Sequence, residues 1–151
     1  MTTTTQLTEV LNDLIKINND RISGYKRAAG ESKDLDVDLP AIFNKMADES
    51  RKYVAELTQR VNDLGGETET GNTAMGTLYQ AWMDVKASFT GKDRKAILAS
   101  CEYGEDAAQK AYRDALATDA EMDTETRQLI TTQKAALKTS HDLIKRYRDV
   151  N

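Results

Sequence analysis

The spacing of its apolar residues constrains this chain most. In four long stretches they recur at steps of three and four, which keeps them on one face of a helix. The first stretch, from about Leu7 to Ala29, carries Leu7, Leu11, Leu14, Ile15, Ile22, Tyr25 and Ala29. The threonines before it offer an N-cap oxygen, and Gly30 is the expected stop. The second starts near Pro40, whose fixed φ suits a first turn, and reads Phe43, Met46, Ala47, Tyr53, Val54, Leu57, Val61 and Leu64 before Gly65 and Gly66. The third follows Gly91, with Asp93 as N-cap, and reads Ile97, Leu98, Cys101, Ala108, Tyr112 and Leu116. The fourth follows Asp123 and Thr124, with Leu129, Ile130, Leu137, Ile144 and Tyr147 inward.

The links between these stretches set the expected topology. Short polar links join the first stretch to the second and the third to the fourth, so each pair is predicted to form an antiparallel hairpin. Residues 65–92 separate the hairpins, enough to return along a whole bundle. Within that link Met75, Leu78, Tyr79, Trp82, Val85 and Phe89 recur at helical spacing, with Asn72 as the expected cap. A short amphipathic helix is expected there, packed along the bundle. The predicted fold is therefore all-α, a ferritin-like four-helix bundle of two antiparallel hairpins joined by one long crossover.

Composition agrees with one helical domain over residues 1–151. Charged residues make up 30% of the chain, aromatics 6%, and there is one proline, so few residues break a helix. The formal net charge is −4, and no stretch clusters Lys and Arg without interleaved acids. That pattern argues against nucleic acid as a partner. The single cysteine, Cys101, cannot form an intramolecular disulfide and suits a reducing compartment. No apolar run reaches the roughly 18 residues of a membrane helix, and the start of the chain lacks the pattern of a signal peptide. A cytoplasmic protein without a membrane partner is expected.

Chemistry in a bundle resides in the polar residues on its inward stripes. These are Asn18 on the first helix, Ser50 with Tyr53 on the second, Glu105 with Glu102 at the stripe's edge on the third, and Gln133 and His141 on the fourth. A ferritin-like di-iron centre needs a carboxylate from each of two helices and Glu-x-x-His from each of the other two. Here the corresponding positions hold Asn18, the pair Ser50 and Tyr53, and the pair Lys138 and His141. Only Glu102 and Glu105 keep carboxylates. The expectation is a hydrogen-bonded polar layer of Asn18, Ser50, Tyr53, Glu105, Gln133 and His141, with His141 paired to Glu102 and no cofactor. A reduced metal site would use Glu102, Glu105 and His141, and a small-ligand pocket would use Tyr25, Tyr53 and Tyr112.

Other motifs fall short of a site. Asp34-Leu-Asp36-Val-Asp38 opens like a calcium loop, but position six is Leu39 and position twelve is Lys45, so it reads as a turn with helix-start acids. Cys101 lies on an apolar stripe near Glu102 and Glu105, surroundings that raise a thiol pKa. No serine elbow accompanies His141. Trp82, Tyr79 and Phe89 offer an apolar surface for a homodimer.

Four segments carry a family resemblance: LNDLIKINNDRISGYKRAA, ELTQRVNDLGG, CEYGEDAAQKAYRDAL and HDLIKRYRD. With them the chain resembles a family of bacterial four-helix-bundle proteins, a domain of unknown function placed in the ferritin-like superfamily. The resemblance covers about residues 7–149. It implies the fold and a bacterial cytosolic setting, and it implies no reaction. Compared with metal-binding relatives such as rubrerythrin, Asn18, Ser50 and Tyr53 stand where ligands would stand, so ferroxidase or peroxidase activity is not expected. The function expected overall is that of a non-enzymatic bundle that self-associates.

Overall fold

The computed structural model describes residues 3–34, 37–68, 94–118 and 121–150. These form four helices and no strand: α1 (Thr3–Ser32), α2 (Leu39–Asp63), α3 (Arg94–Leu116) and α4 (Thr124–Asp149). The residues of the expected link helix, and Asn72 and Asp93, lie outside the described residues.

Helix ends follow local chemistry. Pro40 sits in the first turn of α2, as its fixed φ allows. At the other end Gly65 takes φ 80°, a value that favours glycine. Its N–H donates to the Asn62 carbonyl and that of Gly66 to Val61, both at 3.0 Å, so two orphan helix carbonyls are satisfied. A Cβ on Gly66 would come within 2.6 Å of the Thr8 side chain, so the absence of one lets α1 lie close to this turn. The Asn12 amide donates to the Glu67 carbonyl at 2.9 Å beside it. Asp123 caps α4 by accepting from the Thr126 N–H at 3.2 Å. The Thr126 hydroxyl donates to the same carboxylate at 2.6 Å, and this bond holds the Asp123 carboxyl below its ordinary range.

Two boundaries depart from expectation. Thr3, Thr4 and Thr5 join α1 instead of stopping before it, and α1 runs through Gly30 to Ser32. Ala28 and Ser32 are both fully buried, so packing carries the helix past a glycine whose missing side chain would have met nothing. The Ser32 hydroxyl then donates to the Ala29 carbonyl.

Side-chain pairs fix the direction of every neighbour. Helix α1 packs on α2 and α3, and α4 on α3 and α2. Thr8 lies over Gly66 while Arg21 reaches Ser50, so α1 and α2 are antiparallel. Asn18 meets Tyr112 and Arg21 meets Glu105, so α1 and α3 are antiparallel too. Tyr112 meets Gln133 and Glu102 meets Arg148, which sets α4 against α3. Hence α2 and α3 point the same way. The end of α2 lies beside the start of α1, whereas Arg94 at the start of α3 donates to carbonyls of Tyr147 and Val150 at the end of α4.

One continuous apolar cluster fills the space between the helices. Leu7, Leu11 and Leu14 from α1 meet Phe43, Leu57 and Val61 from α2, Ile97, Leu98 and Tyr112 from α3, and Ile130, Leu137 and Ile144 from α4. The Tyr25 and Phe43 rings pack with centroids 5.7 Å apart. Ile22, Val54, Leu64, Leu116, Leu129 and Tyr147, expected inward, are only partly buried against this cluster.

Candidate functional site: a charged layer in the bundle core

Arg21 lies in the middle of the apolar cluster with no exposed surface. A guanidinium is tolerated there only if its N–H groups find acceptors. Its Nε donates to Glu105 Oε1 at 2.7 Å and its Nη2 to Glu105 Oε2 at 3.0 Å, a two-point fork on a carboxylate that is itself buried. Nη1 donates to the Met46 carbonyl at 3.0 Å and to Ser50 Oγ at 2.8 Å. Glu49 Oε1 stands 3.0 Å from Nη2, and the Tyr25 ring centroid 5.1 Å from the guanidinium carbon. Burial alone would pull the Arg21 pKa down, but Glu105 more than reverses this, so the guanidinium is held more firmly protonated than in water.

Ser50 passes the network on. Its hydroxyl accepts from Arg21 and donates to Asn18 Oδ1 at 2.9 Å. Asn18 Nδ2 donates to the Tyr112 hydroxyl at 2.8 Å and also to the Leu14 carbonyl. Tyr112 donates to Gln133 Oε1 at 2.7 Å, and Gln133 Nε2 donates to Glu56 Oε1 at 3.1 Å at the edge of the bundle. Donors and acceptors therefore run head to tail from a buried cation to a half-buried carboxylate, through all four helices. Such an arrangement polarises each bond in the same sense. Burial raises the phenol pKa values of Tyr25, Tyr53 and Tyr112, so all three stay neutral near pH 7.

The residues singled out in the sequence divide between core and rim. Asn18, Ser50, Tyr53, Glu105 and Gln133 are buried, and the Gln133 amide also donates to the Tyr53 carbonyl at 3.4 Å. His141 lies instead on the flank where α3 meets α4. Its Nε2 is 2.5 Å from Asp106 Oδ1 and its Nδ1 is 3.0 Å from Asp142 Oδ1. The expected partner Glu102 accepts from Arg148 Nη1 at 2.8 Å. Helical geometry explains the split. Glu105 follows the buried stripe inward, while Asp106, four residues after Glu102, faces α4. Glu102, Glu105 and His141 thus do not converge, whereas Glu102, Asp106 and His141 do. Burial opposes the charged form of His141, but its hydrogen bonds to the Asp142 and Asp106 carboxylates prevail, so its pKa is raised. Lys138 is on the surface, bound to Asp142 at 2.7 Å.

Tyr25, Tyr53 and Tyr112 are buried in the core, where Tyr25 packs on Phe43 and Tyr112 belongs to the hydrogen-bond chain. A cavity of about 280 Å³ opens elsewhere, between α1 and α3, over Val10, Leu14, Ile17, Ala111 and Ala115.

Arg21 is not among the inward residues read from the sequence, because a charged side chain ordinarily argues for solvent. The signal was nevertheless present. Leu7, Leu11, Leu14, Asn18, Arg21, Tyr25, Ala28 and Ser32 follow alternating steps of four and three without a break, and all eight are buried. A strict seven-residue register puts Arg21, not Ile22, on the inward seam.

A bundle with a closed hydrogen-bond network and an internal ion pair is the class of protein that this layer defines. The chain belongs to the family described as Domain of unknown function (DUF2383), whose pattern matches residues 6–118. The match contains Asn18, Arg21, Ser50, Glu105 and Tyr112, so most of the layer falls within it. No curated protein matches the chain. No helix among the described residues is long and apolar enough to cross a membrane.

Proposed function

We propose that this protein is a non-enzymatic, ferritin-like helical bundle that self-associates and serves as an interaction protein, with Arg21 as the built-in cation of its core. The observation that carries this reading is the fork of Arg21 on both oxygens of buried Glu105. Ferritin-like metal centres use the same region of a bundle to hold two divalent ions among four carboxylates and two histidines. The residues here do not fit that group. Asn18, Ser50 and Gln133 are neutral, and a guanidinium occupies the centre of the layer. A cation placed against Glu105 would have to displace Arg21 from its acceptors and leave that charge buried.

The shared direction of α2 and α3 supports the ferritin-like connectivity, since a chain that leaves the end of one helix and enters the start of a parallel one must return along the bundle. The lone buried thiol of Cys101 suits a reducing, cytoplasmic setting. The family resemblance suggests a bacterial source.

The test is iron chemistry. Anaerobically purified protein is expected to take up no pair of ferrous ions and to leave iron oxidation in air at its uncatalysed rate. Two tightly bound irons per chain, with oxidation lost in Glu105→Ala, would overturn the reading.

Self-association rests on the sequence alone, in which Met75, Leu78, Tyr79, Trp82, Val85 and Phe89 recur at helical spacing, an apolar and aromatic stripe of the composition that interface cores favour. Light scattering is expected to give the mass of a dimer. A monomer mass that persists at high protein concentration removes this part of the proposal.

A further inference from the structure

Outside the core, one group of side chains has the composition of a metal site. Glu102 and Asp106 stand one turn apart on α3, and His141 faces them from α4. Each offers one ligand atom, and these atoms lie within 4.8 Å of one another. We propose that Glu102, Asp106 and His141 bind a single first-row divalent cation of the zinc type at the flank between α3 and α4.

Three further features point to a cation. Glu102 Oε1 accepts from Arg148, yet its Oε2 is buried and has no hydrogen-bond partner among the described residues. A buried carboxylate oxygen without a donor is costly, and a cation would satisfy it. Second, Asp142 stands 3.0 Å from His141 Nδ1. A carboxylate accepting from one ring nitrogen fixes the tautomer and turns the other nitrogen to the metal, the usual support for a ligating histidine. Here that leaves Nε2, the nitrogen beside Asp106.

Third, the charges balance. Arg148 pairs with Asp149 as well as Glu102, and Lys138 pairs with Asp142. Each of these two cations thus has a carboxylate of its own, and Glu102 and Asp106 remain to offset the two charges of the ion.

The donor set selects the class of metal. An imidazole with two carboxylates suits borderline divalent ions, whereas calcium and magnesium prefer oxygen alone. Donors around a tetrahedral zinc ion are roughly 3.3 Å apart at ordinary bond lengths. Binding would therefore open the 2.5 Å contact between His141 and Asp106 and draw Glu102 inward. Asp106 is 59% exposed, so it has room to turn, and solvent completes the shell.

The test uses the chelator-treated full chain, titrated with zinc by calorimetry and with cobalt by visible absorption. One ion per chain is expected. His141→Asn, Glu102→Gln and Asp106→Asn should each weaken zinc binding by about tenfold or more. Asp114→Asn, a surface acid elsewhere on α3, should leave binding unchanged. Circular dichroism establishes that each variant is folded. The cobalt spectrum of the unaltered protein reports ligation by nitrogen independently of any variant. Absence of saturable binding, binding indifferent to His141→Asn, or preference for calcium over zinc would each overturn the proposal. None of these results depends on the Arg21 layer, which the iron experiment tests separately.

Discussion

Replacing Arg21 with methionine is expected to lower the unfolding free energy by about 3–5 kcal/mol, the cost of removing one partner from a buried ion pair. Glu105 has almost no exposure, and its two oxygens take the Nε and Nη2 protons of Arg21. Without the guanidinium the carboxylate must remain charged with no cation beside it, or bind a proton at a cost that grows with pH. Ser50 and the Met46 carbonyl also lose a donor, although Ser50 can still donate to Asn18. Glu49 is 26% exposed and can turn to water, so its loss adds little.

The double variant Arg21→Met with Glu105→Leu should recover most of that loss, because apolar side chains of similar volume often replace a buried pair at little cost. Urea unfolding of the two single variants and the double variant gives the coupling directly. The pair is expected to be strongly coupled. A loss below about 1 kcal/mol in Arg21→Met would place the guanidinium at the surface, since exposed pairs are worth no more than that.

The same physics explains how much of this protein could be read from its sequence. The steps of three and four gave four helices, most of their buried faces and the Gly65–Gly66 stop, because apolar burial and glycine geometry are local, repeating signals. The start of the fourth helix close to Asp123 and Thr124 was legible from the same repeat. The layer was only half legible. Asn18, Ser50 and Glu105 stood out as polar interruptions of apolar stripes, but their partners depend on how helices distant in sequence are aligned. Arg21 and Glu105 are 84 residues apart, and Asn18 and Tyr112 are 94 apart. Arg21 escaped notice because charge argues for solvent more strongly than seven-residue spacing argues for burial. The assignment of His141 failed at finer grain. Asp106 differs from Glu105 by one residue, or about 100° around the helix, and that rotation decides whether a carboxylate faces the core or α4.

Labelling of Cys101 by a thiol reagent is expected to be slower in the folded protein than in the unfolded chain by a factor on the order of a thousand or more. Cys101 has no exposed surface. Burial raises its thiol pKa, and Glu105 adds to the effect, with Arg21 opposing both. The reactive thiolate is therefore scarce, and the reagent cannot reach the sulfur until α3 separates from its neighbours. Labelling should follow the opening equilibrium and accelerate with urea as the unfolded population grows. Arg21→Met provides a second lever. A loss of about 3–5 kcal/mol multiplies the open population by roughly a hundred to several thousand, and the labelling rate should rise by the same factor when reclosing is fast. Stoichiometric labelling within seconds in the absence of denaturant would show an accessible, activated thiol. It would also remove the packed core on which the non-enzymatic reading depends. A slow rate that rises with destabilisation identifies Cys101 as a packing residue, with Glu105 beside it committed to Arg21.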